Sequence, residues 1–304
     1  NTDSGSTAKG LITLNGKSDC KIQGLQIDGN KTTYASIHNY GIYLYSSSNN
    51  TITGNACNNN YSGIYLSSSS NNNAVTGNTC NNNSDGIRLY LNSANNTITG
   101  NTCNNNSNSG IRLASSNNNT ITGNTCNNNS DGIELFSSNN NTITGNTYNN
   151  NYSGIYLSSS SNNNAVTGNT CNNNYYNGIC ISSSNNNTIT GNTCNNNSTG
   201  GIYLYSSSKN NTVTGNTCYN NNIGIRLSSS SYNTITGNTC IRGTGQTSDY
   251  AENQYTIQLQ GTANNYNLIS SNNCMGKAVV IGGGTGNSAW GNKFDNTNDL
   301  QQKQ

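Results

Sequence analysis

The stretch Gly110-Ile111-Arg112-Leu113-Ala114-Ser115-Ser116-Asn117-Asn118-Asn119-Thr120-Ile121-Thr122-Gly123-Asn124-Thr125-Cys126-Asn127-Asn128-Asn129-Ser130-Asp131-Gly132-Ile133 decides the fold. It holds three short segments that alternate with period two, each too short and too β-branched for a helix. In Gly-Ile-Arg-Leu the Ile and Leu share a face; in Thr-Ile-Thr the Ile opposes both Thr; in Thr-Cys-Asn the Cys opposes its neighbours. Ile133 then opens the next copy. The isoleucines Ile42, Ile64, Ile87, Ile111, Ile133, Ile155, Ile179, Ile202 and Ile225 repeat the pattern every 22 to 24 residues. Weaker copies lie around Ile12 and Leu14, Ile257 and Leu259, and Val279 and Ile281, which makes about twelve units. No single copy can bury its own apolar face, so stacking must supply the core.

These features predict an all-β fold: one right-handed parallel β-helix of three short strands per coil, a rod on the order of 55 Å long. The whole chain, 1–304, reads as a single domain. Residues 1–40 form an N-terminal capping coil and loop, 41–240 the regular repeats and 241–304 the divergent C-terminal coils. The Gly-Asn between the second and third strands needs a residue that tolerates φ > 0 in a tight corner. Its Asn recurs as Asn55, Asn78, Asn101, Asn124, Asn146, Asn169, Asn192, Asn216 and Asn238, positioned to bond from coil to coil as an amide ladder.

The unit Asn-Thr-Ile-Thr-Gly-Asn-x-Ile/Cys-x-Asn-Asn…Gly-Ile-x-Leu resembles the NosD-type carbohydrate-binding and sugar-hydrolase (CASH) repeat, common in surface proteins of methanogenic archaea. The Asn corner is similar to that of pectate-lyase-like helices. The resemblance covers nearly the whole chain and implies the fold. It leaves function open, because lyases, hydrolases, adhesins and scaffolds share this architecture.

Composition narrows the choice. Only 7% of residues are charged and the net charge is +2, which argues against nucleic acid as a partner. No apolar run reaches the ~18 residues of a membrane span. The absence of Pro suits a chain whose backbone N–H groups are needed in ladders. With no signal-like segment, Asn1 reads as a mature or trimmed start, and the protein is expected to be extracellular or on the cell surface.

Eleven cysteines is an odd number, so one thiol at least cannot pair within the chain. Cys57, Cys80, Cys103 and Cys126, then Cys171, Cys194, Cys218, Cys240 and Cys274, share one inward repeat position that Tyr148 interrupts. They read as small buried hydrophobes. Coil-to-coil disulfides are the alternative, although parallel Cβ vectors sit farther apart than the usual ~3.8 Å. Cys180, at an outward position, is expected to be the exposed thiol. Cys-x-x-Cys pairs are absent and there is a single His, so no metal or cofactor is expected.

Three surfaces could carry function. The outward position of Gly-Ile-x-Leu gives Tyr43, Tyr65, Arg88, Arg112, Glu134, Tyr156, Tyr203 and Arg226, with Asp85 and Asp131 just before the strand. Tyrosine rings beside charged groups suit a sugar chain, and pectate-lyase-like relatives place their groove on this first sheet. Asp131 and Glu134 are a candidate carboxylate pair for lyase or hydrolase chemistry. Against this, Arg112 and Glu134 can form an exposed cross-strand ion pair of little consequence. The second sheet presents doubled, outward-facing threonines: Thr51 and Thr53, Thr97 and Thr99, Thr120 and Thr122, Thr142 and Thr144, Thr188 and Thr190, Thr212 and Thr214, Thr234 and Thr236. This two-wide array resembles the ice-binding face of antifreeze proteins, yet Thr is also an ordinary exposed strand residue. Two longer loops complete the set: 28–40, with His38, and 241–255, with Arg242 and with Asp249 and Glu252 as weaker catalytic candidates.

The regularity of the central coils favours a structural or adhesive surface module without catalysis, its partners glycans, other surface proteins or further copies of itself. A polysaccharide lyase or hydrolase and an ice-binding protein are the alternatives.

Overall fold

A computed structural model describes residues 9–30, 38–241, 255–275 and 280–294. All regular structure among them is β, and successive coils pair in parallel. The first sheet has 12 strands, from Lys9–Asn15 to Val280–Ile281, and the second has 12, from Lys21–Gln23 to Ser288–Trp290. In both, spatial order follows chain order, so each coil contacts only its neighbours. The expected parallel β-helix is present.

The third side is thinner than the sequence implies. Gln26–Asp28 pairs with Ala56–Asn58 as full strands, and Thr217–Tyr219 resumes a four-stranded sheet. Between them the ladder narrows to single-residue bridges, from Ala56–Thr79 through to Thr193–Thr217.

Register is strict. Ile111 sits over Ile133, Arg112 over Glu134 and Leu113 over Leu135, so every repeat position becomes a column along the rod. The Ile and Leu columns fill the interior, and the cysteines form the third interior column. The glycine before each core Ile lets the coils approach: a Cβ on Gly86 would lie 2.4 Å from the Gly110 carbonyl oxygen and 2.8 Å from Cys103 Cβ. At the corner, Gly123 takes φ 62°, the left-handed conformation that costs an L-residue most.

Three buried Asn ladders, rather than one, tie the coils together. The expected ladder at the Gly-Asn corner runs from Asn55 onward; in its middle, Asn101 N and Nδ2 both donate to Asn124 Oδ1, each at 2.9 Å. A second passes through Asn96, Asn119 and Asn141 before the Thr-Ile-Thr strand. A third passes through Asn106, Asn129 and Asn151 after the cysteine. Other asparagines serve the backbone: Asn118 (φ 59°) and Asn128 (φ 57°) occupy left-handed turn positions, which Asn tolerates better than most residues.

All eleven cysteines carry free thiols, and the nine of the interior column are buried. Cys180 is also buried, 3% exposed, contrary to the expectation that it is exposed. Asn177 donates to its sulfur from 3.6 Å, and tyrosines from the flanking coils close over it.

Candidate functional site

The first sheet brings together every first-sheet residue singled out above, because the register converts their repeat positions into adjacent columns. Along the rod the face divides into three zones. At the N-terminal end is a ring cluster. Tyr43 and Tyr65 stack at 5.1 Å with 12° between planes, and Tyr40 lies 4.5 Å from Tyr65. The Arg88 guanidinium lies 5.4 Å from the Tyr65 ring and 5.1 Å from the Tyr90 ring, within cation–π range. This packing buries Tyr65 to 7% exposure, so it supports the platform and Tyr43 and Tyr45 are its open edge.

The centre is charged. Asp85 is buried, accepts from Asn108 Nδ2 at 2.7 Å and pairs with Arg88 at 3.9 Å. Arg112 Nε lies 3.0 Å from Glu134 Oε2, while Ser109 Oγ donates to the same oxygen at 3.3 Å. The Arg112–Glu134 pair is half-buried, with side-chain exposures of 28% and 13%, rather than the exposed pair expected. Its N–H direction is also off the line of a hydrogen bond. Asp131 is one strand position before Gly132, in register with Ser153. Burial, and then the charge of Glu134, push its carboxyl up to about 7, against the pull of Arg112 and a hydrogen bond to Ser153. Glu134 is raised as well, mainly by burial, with Arg112 opposing.

Beyond the centre a second ring cluster begins. The Tyr156 and Tyr205 hydroxyls meet at 3.0 Å, spanning the coil that carries Cys180. Under them burial lifts the Cys180 thiol to about 12, which makes it a poor nucleophile. Tyr203 stacks on Tyr205 at 4.9 Å, and Arg226 lies 4.9 Å from the Tyr203 ring and donates to Gln260.

The face holds a concentration of unmet polar groups. Ser62 Oγ, Arg88 Nε, Asn177 Oδ1, Arg226 Nε and Gln258 Oε1 are buried with no hydrogen-bond partner, whereas Thr99 Oγ1 alone is so placed on the second sheet, among the described residues. Such atoms cost stability unless something meets them. Sequence reading missed Tyr40, Ser62, Ser109, Ser153 and Asn177. The signal was available: each occupies the repeat position of Asp85 or Asp131, two residues before the core Ile.

The second sheet is a plain contrast. Thr97 pairs with Thr120 and Thr120 with Thr142, and likewise Thr99 with Thr122 and Thr122 with Thr144, in unbroken register. Thr51 with Thr53, Thr188 with Thr190, Thr212 with Thr214 and Thr234 with Thr236 occupy the same two columns. Ala74 and Ala165 interrupt the first column. The two columns are not equally open. In the first, Thr97, Thr120, Thr142 and Thr188 are exposed, while Thr51, Thr212 and Thr234 are half-buried. In the second, Thr53, Thr99, Thr122, Thr144, Thr190, Thr214 and Thr236 are all half-buried. Each of these stands next to the Gly-Asn corner, flanked by the equivalent side chain of the coil on either side, so only part of it reaches solvent. Over these coils the face carries no charge. Of the loop candidates, His38 packs on Tyr61 at 4.0 Å, while Arg242, Asp249 and Glu252 lie outside the described residues.

The sequence profile described as "Periplasmic copper-binding protein (NosD)" matches residues 1–177 and 159–304. Among solved structures, the chain is similar to the periplasmic alginate epimerase AlgG at 16% identity and TM-score 0.63, over 91% of this chain and 76% of that one. It is similar to the A-module of the Azotobacter vinelandii mannuronan C-5 epimerase AlgE6 at 15% identity and TM-score 0.60, over 96% and 79%. The Dettilon tailspike protein matches at 19% identity and TM-score 0.64, over 90% of this chain but only 55% of the tailspike. At these identities the likeness concerns the fold alone. No curated protein matches the chain in sequence.

The copper in the profile's description finds no fitting donor set. No group of three or more His, Cys, Asp or Glu side chains converges among the described residues. The column thiols face a closed core; burial above all pushes Cys103 and Cys194 up, and hydrogen bonding to the next thiol pushes Cys80 and Cys240 up. Soft metals bind the thiolate; hydrogen bonds with Cys194 and Cys240 push Cys218 the other way, down to about 5, but one thiolate in a closed core is not a donor set.

Proposed function

We propose that this chain, which belongs to the NosD family, is an exported, rigid surface or periplasmic module whose first sheet binds a polysaccharide. The observation that carries the reading is the zoning of that sheet. Two ring clusters flank a charged centre, and buried donors and acceptors on the same face lack partners. Ring faces offer sugars apolar contact, and a few placed polar groups fix orientation. The solved structures named for alginate and mannuronan epimerases make a glycan the favoured ligand class. The near-identical central coils favour display on a rigid rod. The threonine face, with the same register but no such zoning, provides an internal control.

A glycan array probed with the fluorescently labelled protein tests this. Binding to one or more polysaccharides is expected, weakened at least about tenfold, or about 1.4 kcal/mol, by Tyr43→Ala or Tyr203→Ala. Thr120→Ala with Thr122→Ala should leave it unchanged. An empty array, or binding lost only with the threonine variant, overturns the proposal.

A further inference from the structure

We infer that the first sheet holds one linear polysaccharide at two separate places, one on each ring cluster. The coils between them act as a rigid spacer, so the rod selects chains long enough to reach both; the inference rests on the glycan-binding reading above. Three features of the repeat divide in the same way along the rod. In the outward column, rings stand at Tyr43 and Tyr65, give way to Arg88, Arg112 and Glu134, and return at Tyr156 and Tyr203. The residue just before each first-sheet strand is Tyr61 at the first end and Tyr152 and Tyr176 at the second, with Ser84, Asn108 and Ser130 between. The buried polar atoms without partners follow suit. Ser62 Oγ and Arg88 Nε belong to the first end; Asn177 Oδ1, Arg226 Nε and Gln258 Oε1 belong to the second.

The centre, by contrast, is occupied with itself. Asp85 pairs with Arg88, and Glu134 with Arg112. Phe136 is exposed there, but it lies in register between Ala114 and Ser158, so no ring on either neighbouring coil extends it into a platform. Both ends keep a ring open to solvent. Tyr45 is 43% exposed at the first, and at the second Tyr152 is 48% and Tyr175 73% exposed. Tyr152 is held by stacking on Tyr176 at 5.2 Å, with 15° between planes. An open, fixed ring offers a pyranose an apolar face at small entropic cost.

The register sets the span. Seven coil steps separate Tyr43 from Tyr203, roughly 34 Å at the spacing of paired strands. A pyranose in an extended chain advances by about one coil spacing, so about eight residues bridge the two places and a tetrasaccharide cannot. Once one end of a long chain is held, the second contact forms at the effective concentration that the rod's fixed geometry provides. Affinity should therefore depend on length as a step.

The test takes the polysaccharide bound best on the array, cuts it by partial acid hydrolysis and sizes it into fractions from disaccharide to dodecasaccharide. Each is titrated into the full chain by calorimetry. Weak binding is expected up to the hexasaccharide, followed by a rise of about a hundredfold or more near the octasaccharide. Tyr43→Ala and Tyr203→Ala should each abolish the step while the tetrasaccharide still binds at the other end. Deleting one central coil, residues 111–132, joins Gly110 to Ile133 in the existing register and should move the step to a chain one residue shorter. Circular dichroism checks that the shortened rod folds; if it does not, the two point variants decide. A gradual rise with length, a step that survives in both point variants, or one that stays in place in the folded shortened rod overturns this inference and leaves the binding proposal intact. Absence of binding at every length overturns both.

Discussion

The Asn ladders and the first-sheet face are built from the same repeat, yet they treat buried polar groups in opposite ways. In the corner ladder Asn124 is saturated. Its Oδ1 accepts twice from Asn101, and its Nδ2 donates to Ile98 O, Thr122 O and Asn146 Oδ1. Repetition guarantees this, because each coil presents the donor that the next coil's acceptor needs. On the first sheet the outward column changes identity from coil to coil, and buried atoms are left unmet. A repeat can satisfy itself along a column, and among the described residues most of the unmet buried atoms lie on the first sheet where the sequence varies, with Asn60 Oδ1, Thr99 Oγ1, Tyr148 Oη and Asn273 Oδ1 outside it. That difference separates scaffold from site.

The largest expected effect comes from breaking the saturated side. Asn124→Ala removes an acceptor on which Asn101 N and Nδ2 both depend, inside a buried column. Stranding even one buried amide costs about 1–3 kcal/mol, so the total loss should be about 3–5 kcal/mol, among the larger effects of a single substitution. Because coils interact with nearest neighbours only, the damage should be local. Hydrogen exchange should show protection falling in coils around residues 98–146 before the distal coils respond. A melting temperature within a degree or two of the parent would show that the ladder decorates the rod rather than holding it.

The second effect sharpens the opposite side. The carboxyl of Asp131 is raised in the folded chain to about 7, from about 3.9 in an unfolded one. The folded state therefore binds the extra proton. Stability from this group is fully present below about pH 4 and is lost as pH rises toward 7, at up to about 1.4 kcal/mol per pH unit. Glu134 is shifted in the same direction and adds to the slope. Thermal melts from pH 4 to 8 should show this decline, and Asp131→Asn should flatten it and melt higher than the parent at pH 8. An unchanged slope in the variant would remove Asp131 as its source.

The two regions were not equally legible in the sequence. Spacing of Ile111, Ile133 and their equivalents fixes coil length and register, and alternation alone places Cys126 inside and Thr120 outside. The Gly-Asn corner announces one ladder. The other two were hidden in the Asn-Asn-Asn runs, where composition cannot tell a buried rung such as Asn129 from a left-handed turn residue such as Asn128; only backbone conformation separates them. On the first sheet the outward residues could be named, but not their depth. Tyr65 is covered by Tyr40, Tyr43 and Arg88, and Cys180 by Tyr156 and Tyr205. Such cover depends on rotamers that reach across coils, and periodicity carries no information about them. Depth escaped the reading of the second sheet too: alternation gives Thr120 and Thr122 the same outward sense, but only Thr120 is exposed. Asp131 differs from Asp85 because of its neighbours: the two share a repeat position, but only Asp85 has Arg88 on its own coil to pair with.

The smallest effect concerns an interior position where the scaffold itself behaves like the site. Tyr148 stands in the thiol column between Cys126 and Cys171, fully buried, and its hydroxyl has no hydrogen-bond partner. Burial holds that phenol protonated, with the neighbouring thiols adding to the shift, so it is a neutral donor with nothing to receive it. An unmet buried hydroxyl costs about 1–3 kcal/mol. Tyr148→Phe keeps the ring that fills the column and deletes only the oxygen. It should therefore raise the midpoint of thermal unfolding, by about 1 kcal/mol in stability and a few degrees at most in a chain of this size. Tyr148→Cys restores the repeat but removes the ring, and with no neighbour able to fill the volume it should lower the midpoint instead. Opposite signs for these two substitutions would show that the ring belongs to the scaffold and the hydroxyl does not; a loss of stability with Phe would mean that the oxygen has a partner, and that even the interior of this rod breaks its repeat for a reason.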